Sequence, residues 1–180
     1  MRFPYGIADF AALIDEAYFY VDRTDRIPLL ENAGKQLLFL RPRRFGKSLW
    51  LSTLENYYDL ARADDFERLF GGLKIGQNPT PLRNRYFILN LNFSVVDPHG
   101  DSDAVRASLF HHLNIQIKAM MVRYGDWLEG RVDIEPDDGI ASFQSLTNAI
   151  SQTPYKLYLL VDEYDNFANE VMISSWRGTD

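Results

Sequence analysis

Apolar positions along this chain fall either at helical spacing or in short unbroken runs, and the two patterns lay out the elements. From Asp9, apolar residues recur at Phe10, Leu13, Ile14 and Ala17, one helix face with Asp9 as N-cap. The aromatic run Tyr18-Phe19-Tyr20-Val21-Asp22 reads as extended, because aromatic and β-branched side chains favour strands. Thr24 or Asp25 can cap a second short helix, with Pro28 in its first turn and Gly34 at its end. A first core strand, Gln36 to Leu40, follows at once. Ser48 to about Leu60 reads as a helix with Leu51, Leu54 and Tyr58 on one face, widened by Trp50 and Tyr57. A further helical stretch near Asp65 to Phe70 stops at Gly71-Gly72, and Gly76 to Pro81 reads as loop. Arg85 leads into a second strand, Tyr86 to Leu91, where Asn92 and Ser94 suit turn chemistry better than the positioning of a water.

Asp101 or Ser102 caps the longest predicted helix, in which Val105, Leu109, Leu113, Ile117 and Met121 recur to about Val122, with the methionine pair as core filler. From Arg123 to Gly139 there is no period. Gly125, Gly130, Pro136 and the acidic residues Glu135, Asp137 and Asp138 mark a surface excursion with solvated carboxylates. Phe143, Leu146 and Ile150 define a helix ending before Pro154. Leu157-Tyr158-Leu159-Leu160-Val161 is then an unbroken apolar run closed by Asp162-Glu163, which predicts a strand buried on both faces as in parallel sheets. No clear strand follows Asp165. The predicted fold class is α/β, a parallel sheet flanked by helices.

The candidate chemistry sits at two strand ends. Leu37-Leu38-Phe39-Leu40 runs into the basic loop Arg41-Pro42-Arg43-Arg44-Phe45-Gly46-Lys47-Ser48 and then into a helix. N–H groups at a helix N-terminus carry partial positive charge and lack intrahelical partners, so they can bond phosphate oxygens. Gly46 would let the backbone approach, Lys47 would reach the outer phosphates, and the Ser48 hydroxyl would complete a nucleotide-borne magnesium ion's coordination. The general phosphate-loop pattern has Gly where this chain has Arg41, so a basic surface loop is the competing reading of this stretch alone. Asp162-Glu163 shifts the balance, because ligands of open parallel sheets bind beyond the carboxyl ends of strands and both stretches sit there.

Composition narrows the function classes. Of 180 residues, 46% are hydrophobic and 14% aromatic, enough for a real core in one domain of ordinary size. The formal charge of −6 argues against coating nucleic acid, so nucleic-acid binding is not indicated. No cysteine is present, which removes disulfides, thiolate zinc sites and a cysteine nucleophile. His111 and His112 are adjacent, so on a helix they point about 100° apart and cannot share a metal. No apolar run approaches the ~20 residues of a membrane span, and no signal-peptide layout is present, so a cytoplasmic protein without membrane association is expected.

Several blocks together resemble the prokaryotic AAA-ATPase-like family: Phe3-Pro4-Tyr5-Gly6-Ile7 with Asp9-Phe10, Tyr20 to Thr24, Arg41 to Ser48 with Leu54-Glu55-Asn56-Tyr57-Tyr58, and Val161 to Asp165. The likeness covers nearly the whole chain. It implies that Arg41 to Ser48 is the local form of a Walker A loop in a P-loop NTPase-like sheet, with Arg43, Arg44, Phe45, Gly46, Lys47 and Ser48 at the nucleotide. It also implies Ser48 and Asp162 on the magnesium side, Glu163 as the base that activates water, and Lys47 as its catalytic partner on the phosphates. ATP and Mg are the implied cofactors. Tyr20 to Thr24 matches a family block that we expect to cover the nucleotide base.

The resemblance further implies a strand between the Walker A and Walker B strands, a sensor residue, and often a restriction-endonuclease-like domain, all from beyond Walker B. With about fifteen residues after Asp165, the expectation is an N-terminal piece of a longer protein: residues 1–35 a helical and aromatic segment, 36–180 a partial sheet with helices. Such a piece would bind ATP, hydrolyse it weakly or not at all, and self-associate through an open sheet edge. A nucleotide-dependent interaction module that holds ATP without turnover is the rival reading. A small-molecule kinase is a third, which Glu163 beside Asp162 and the lack of an arginine-rich lid disfavour.

Overall fold

The computed structural model describes residues 2–40, 42 and 45–177. It is a mixed α/β chain that divides into two compact units, residues 1–86 and 87–180. Among the described residues, no helix is long and apolar enough to cross a membrane.

In the first unit, α1 (Phe10–Asp15) starts where the pattern places it: the Asp9 carboxylate accepts the Ala12 N–H at 3.2 Å, and Phe10 and Leu13 are buried. The aromatic run after it makes a single parallel bridge, Arg2 with Tyr18, rather than a strand. A 3₁₀ turn, Thr24–Arg26, leads into α2 (Ile27–Ala33), with Pro28 in the first turn and Gly34 at φ 134° closing it. Neither Thr24 nor Asp25 caps this helix. Asp22 organises the turn instead, accepting the Thr24 N–H at 2.9 Å and the Thr24 hydroxyl at 2.7 Å.

The expected strand Gln36–Leu40 is not one. Residues 37–40 have no ladder among the described residues, and Leu38 and Leu40 are 67% and 77% exposed. A strand exists by pairing its N–H and C=O groups along a ladder, so apolar propensity alone does not make one.

Helix α3 (Lys47–Tyr58) packs on α1 and buries Thr53, Leu54, Asn56, Tyr57 and Tyr58, while Leu51 stays half-exposed. Two polar residues on that face each donate one turn back, although the Asn56 Oδ1 is buried without a partner among the described residues. Thr53 donates to the Leu49 carbonyl at 2.9 Å and the Asn56 amide to the Ser52 carbonyl at 2.8 Å. A 3₁₀ segment, Leu60–Asp65, then α4 (Phe66–Phe70) and α5 (Lys74–Gln77) follow. Phe10 and Tyr57 meet Phe70 at centroid distances of 4.9 and 5.5 Å, making an aromatic core for the unit.

In the second unit, β1 (Tyr86–Asn92) and β2 (Lys156–Asp162) pair as a two-stranded parallel sheet. The crossover between them carries α6 (Ser102–Arg123), α7 (Gly125–Leu128) and α8 (Gly139–Ser151), and α9 (Tyr164–Arg177) follows β2. Asp101 caps α6 through the Ala104 N–H at 2.8 Å, and Asp138 caps α8 through the Ile140 and Ala141 N–H groups, both at 3.0 Å. Asp138 is thus not an idle solvated carboxylate. Asn92 does make the expected turn, accepting the Ser94 N–H at 3.0 Å.

Three expectations for this unit need correction. The every-fourth stripe of α6 does not form one face, since four residues advance a helix by about 400°, so the stripe drifts about 160° between Val105 and Met121. The buried positions are His112, Asn114, Ile117 and Met120. The aperiodic stretch after α6 is not all surface: Tyr124 and Leu128 are fully buried, and Val132 nearly so. Finally, β2 is not buried on both faces. Leu160 and Asp162 point inward while Leu159 and Val161 are 45% and 36% exposed, the alternation of a strand covered on one side.

Tyr124 fixes the first strand by accepting the buried Ile88 N–H at 3.0 Å, with its ring edge-on to Phe87 at 5.0 Å. Tyr124→Phe keeps the ring and strands that N–H, so the chain should lose about 1–3 kcal/mol of stability, measured as a lower denaturant midpoint at unchanged slope.

Candidate functional site

The predicted phosphate-loop residues lie at a turn and a helix start. The Phe45 N–H reaches back to the Pro42 carbonyl at 3.3 Å, and Gly46 then adopts φ 76°, ψ 27°, a left-handed conformation that costs side-chain-bearing residues energy. Gly46 is the N-cap of α3, and its carbonyl accepts the Trp50 N–H at 3.0 Å, so Lys47 and Ser48 form the helix's first turn. A glycine N-cap has no side chain of its own to occupy first-turn N–H groups, which suits an anion there. Arg41, Arg43 and Arg44 lie outside the described residues.

The helix carrying this turn is braced at its other end. Tyr58 donates to Glu31 Oε1 at 3.0 Å, and the Thr80 hydroxyl donates to the same oxygen at 2.7 Å. Near the turn, the Ser52 hydroxyl accepts the Phe10 N–H at 3.0 Å, tying α3 to the start of α1.

A cavity of about 400 Å³ opens beside this turn within the first unit, lined by Gly46, Leu49 and Trp50 on one side and by Tyr20, Val21 and Arg23 on another. The segment Tyr20 to Thr24 therefore has a structural role that its sequence did not reveal. Asp22 Oδ2 accepts the Lys74 N–H at 2.8 Å and Thr24 Oγ1 accepts the buried Ile75 N–H at 3.1 Å, pinning the segment to α5. Burial works to raise the pKa of Asp22, but hydrogen bonds from the Thr24 hydroxyl and the Lys74 and Thr24 N–H groups outweigh it and hold the carboxyl below its usual range. Burial pushes the Tyr20 phenol up, against the opposing contact with Thr53, so Tyr20 stays neutral.

Asp162 and Glu163 lie in the other unit, at the carboxyl end of β2. Asp162 is buried, and its Oδ1 accepts the Glu163 N–H at 3.0 Å. Glu163 stands at φ 58°, a left-handed conformation that a long side chain adopts at a cost of about 1–2 kcal/mol. Its carbonyl accepts the Phe167 N–H at 3.3 Å as α9 begins. Strain of this kind concentrates at functional positions, and spacing in the sequence carried no sign of it. Phe45, Gly46, Lys47 and Ser48 are thus gathered at one helix start, and Asp162 and Glu163 at one strand end.

Residues 4–178 match the family described as "Predicted AAA-ATPase". The chain belongs to that AAA-ATPase-like family. It is also similar, at 39% identity over 75 residues, to an uncharacterized protein from the vnfD 5′ region of Azotobacter chroococcum mcd 1. That match covers 41% of this chain and only 14% of the relative's length. No solved structure matches. Family membership supports an ATPase-like role and nucleotide binding in general.

The Asp22 anchor can be tested by acid. Its carboxyl titrates below the unfolded value of about 3.9, so its contribution is fully present above that pH and is lost as pH falls through the folded pKa. Asp22→Asn should cost about 1 kcal/mol at pH 7, with the gap to the parent narrowing as pH falls through the folded-state pKa, measured by urea unfolding across an acid pH series.

Proposed function

We propose that this chain is a P-loop-type ATPase domain, with Gly46, Lys47 and Ser48 holding the phosphates of ATP and Asp162 and Glu163 serving the magnesium ion and the attacking water. The observation that carries the reading is the Gly46 turn, a left-handed glycine that opens a braced 12-residue helix directly into Lys-Ser, in a chain of the AAA-ATPase-like family. Arg43, Arg44 and Phe45 belong to the same loop by sequence and would flank the nucleotide.

The donors on offer suit magnesium. Ser48 and Asp162 are hard oxygen ligands, and the chain has no cysteine. Among the described residues, no group of three or more His, Asp or Glu side chains could hold a metal by itself. Magnesium keeps several waters and substrate phosphates and takes only one or two protein ligands. When bound, the ion would neutralise charge on the phosphate oxygens.

Lys47 would place a positive charge on the outer phosphates, stabilising the charge that grows on the oxygens as the terminal phosphoryl group transfers. Glu163 would accept a proton from water as the water oxygen bonds to the γ-phosphorus and the β–γ bridging bond breaks, giving ADP and phosphate. Asp162 would hold Glu163's backbone in place through the 3.0 Å contact with its N–H.

Two variants test these roles separately. Lys47→Ala should weaken Mg·ATP binding about ten- to a hundredfold by calorimetry, the worth of a charge-assisted contact. Unchanged affinity would remove the phosphate-loop assignment. Glu163→Gln should bind ATP as the parent does while phosphate release slows by about a hundredfold or more. A parent that binds ATP with no turnover at all would make the chain a nucleotide-dependent binding module instead.

A further inference from the structure

We propose that the cleft between the first turns of α6 and the turn preceding α8 receives an arginine side chain from a basic segment of a partner protein. The cleft measures about 350 Å³, within the roughly 300–1,000 Å³ of small-ligand sites. Asp103, Arg106, Ala107 and Phe110 line it from α6, and Pro136 and Asp137 from the turn, so it lies wholly within the second unit.

The cleft is built to stay open. Asp103, Ala107, Phe110 and Asn114 follow one another at helical spacing, so Asn114 continues the face that lines it. The Asn114 amide, almost wholly buried, donates to the Glu135 and Pro136 carbonyls at 2.8 and 3.2 Å and ties the turn to α6. From the other side, the Glu135 N–H donates to the Ser142 hydroxyl oxygen on α8 at 2.9 Å. Gly139, the first residue of α8, comes so near that a Cβ there would stand 3.0 Å from the Phe110 Cα. The turn is thus held at a fixed distance, and an entering side chain has only itself to order.

Charge chooses the occupant. More than half of the chain's 25 acidic residues but fewer than a third of its 19 basic ones fall in residues 87–180, so the net negative charge resides in this unit. In the cleft, Asp137 is exposed and makes no ion pair among the described residues. Asp103 bonds Arg106 at 2.9 Å, but both side chains are largely exposed, and such a pair is given up at little cost. Two carboxylates therefore border a space that also offers the Phe110 ring and the apolar side of Pro136. A guanidinium matches that set better than an ammonium, since it is flat enough to stack on a ring and forked enough to take a carboxylate through two bonds. Its apolar stem would lie along Pro136. Asp103, His111, Pro136 and Asp137 are all exposed, so the cleft is open to a side chain carried past on another protein.

The test is calorimetry on the full chain at low salt with a capped peptide of alternating arginine and glycine, its lysine and glutamate counterparts, and arginine amide. Nucleotide and magnesium are left out, so the outcome is independent of the phosphate-loop reading. The arginine peptide should bind about threefold or more tighter than the lysine peptide, and the glutamate peptide should not bind. Asp137→Asn should weaken the arginine peptide about fivefold, and Ala107→Trp, which fills the cleft from an exposed helix position, about tenfold or more. Asp126→Asn removes the same charge from α7, outside the lining, and should leave affinity within about twofold of the parent. Equal losses in Asp126→Asn and Asp137→Asn would mean bulk attraction to an acidic surface and overturn the proposal. Unchanged affinity in both cleft variants, or a parent that binds no peptide, overturns it as well. Equal binding of the arginine and lysine peptides overturns the guanidinium assignment, and arginine amide that binds as tightly as the peptide overturns the partner segment.

Discussion

Burial of Tyr57 and Tyr58 is the constraint on which the first unit depends. Both rings are almost wholly buried and pack edge-on at 5.1 Å, which immobilises the last turn of α3. Their hydroxyls need partners once out of water, and they find them in Thr80 and Glu31. Glu31 sits on α2 and Thr80 in the segment after α5, so two tyrosines join three separate parts of the chain. The opposite end of α3 inherits that rigidity. A left-handed glycine at the start of a loosely held helix would define no particular geometry; here the turn begins a helix whose far end cannot shift.

The second unit is built on another principle. Its two strands are parallel, so their carboxyl ends lie together, with Asn92 closing β1 in a turn and Asp162 ending β2. Asp162 is spent partly on its neighbour's N–H, and that bond accompanies the unusual backbone of Glu163. The carboxylate of Glu163 is held at the strand end by main-chain geometry rather than by a loop free to turn away.

Local chemistry was legible in the sequence and pairing was not. Asp9 and Asp101 cap the helices the pattern assigned them, Gly34 ends α2, and the Asp162-Glu163 pair stands at a strand terminus. These depend on residues within a turn of one another. Gln36–Leu40 failed because strand character is conferred by a neighbour, and an apolar run looks the same with or without one. The α6 face failed because a repeat of four imitates helical spacing over two turns and departs from it over five. The wall formed by Tyr20 to Arg23 was out of reach because it depends on Lys74 and Ile75, about fifty residues away. Asp22 looked like an end to an aromatic run, and nothing in its neighbours announces a contact at that separation.

Among the described residues, three that are not glycine, Ala17, Asn84 and Glu163, hold positive φ, and they differ in what replacement would cost. Glycine relieves such strain by about 1–2 kcal/mol, offset in part by the greater freedom it gives the unfolded chain. At exposed Ala17 the exchange gives up only a methyl group. At Asn84 it would delete the amide that donates to the Asp59 carbonyl at 2.8 Å. At Glu163 it would delete the carboxylate itself. An engineer seeking a more heat-resistant form would therefore relax Ala17, leave Asn84 alone, and find the third strained position closed for as long as its carboxylate is wanted.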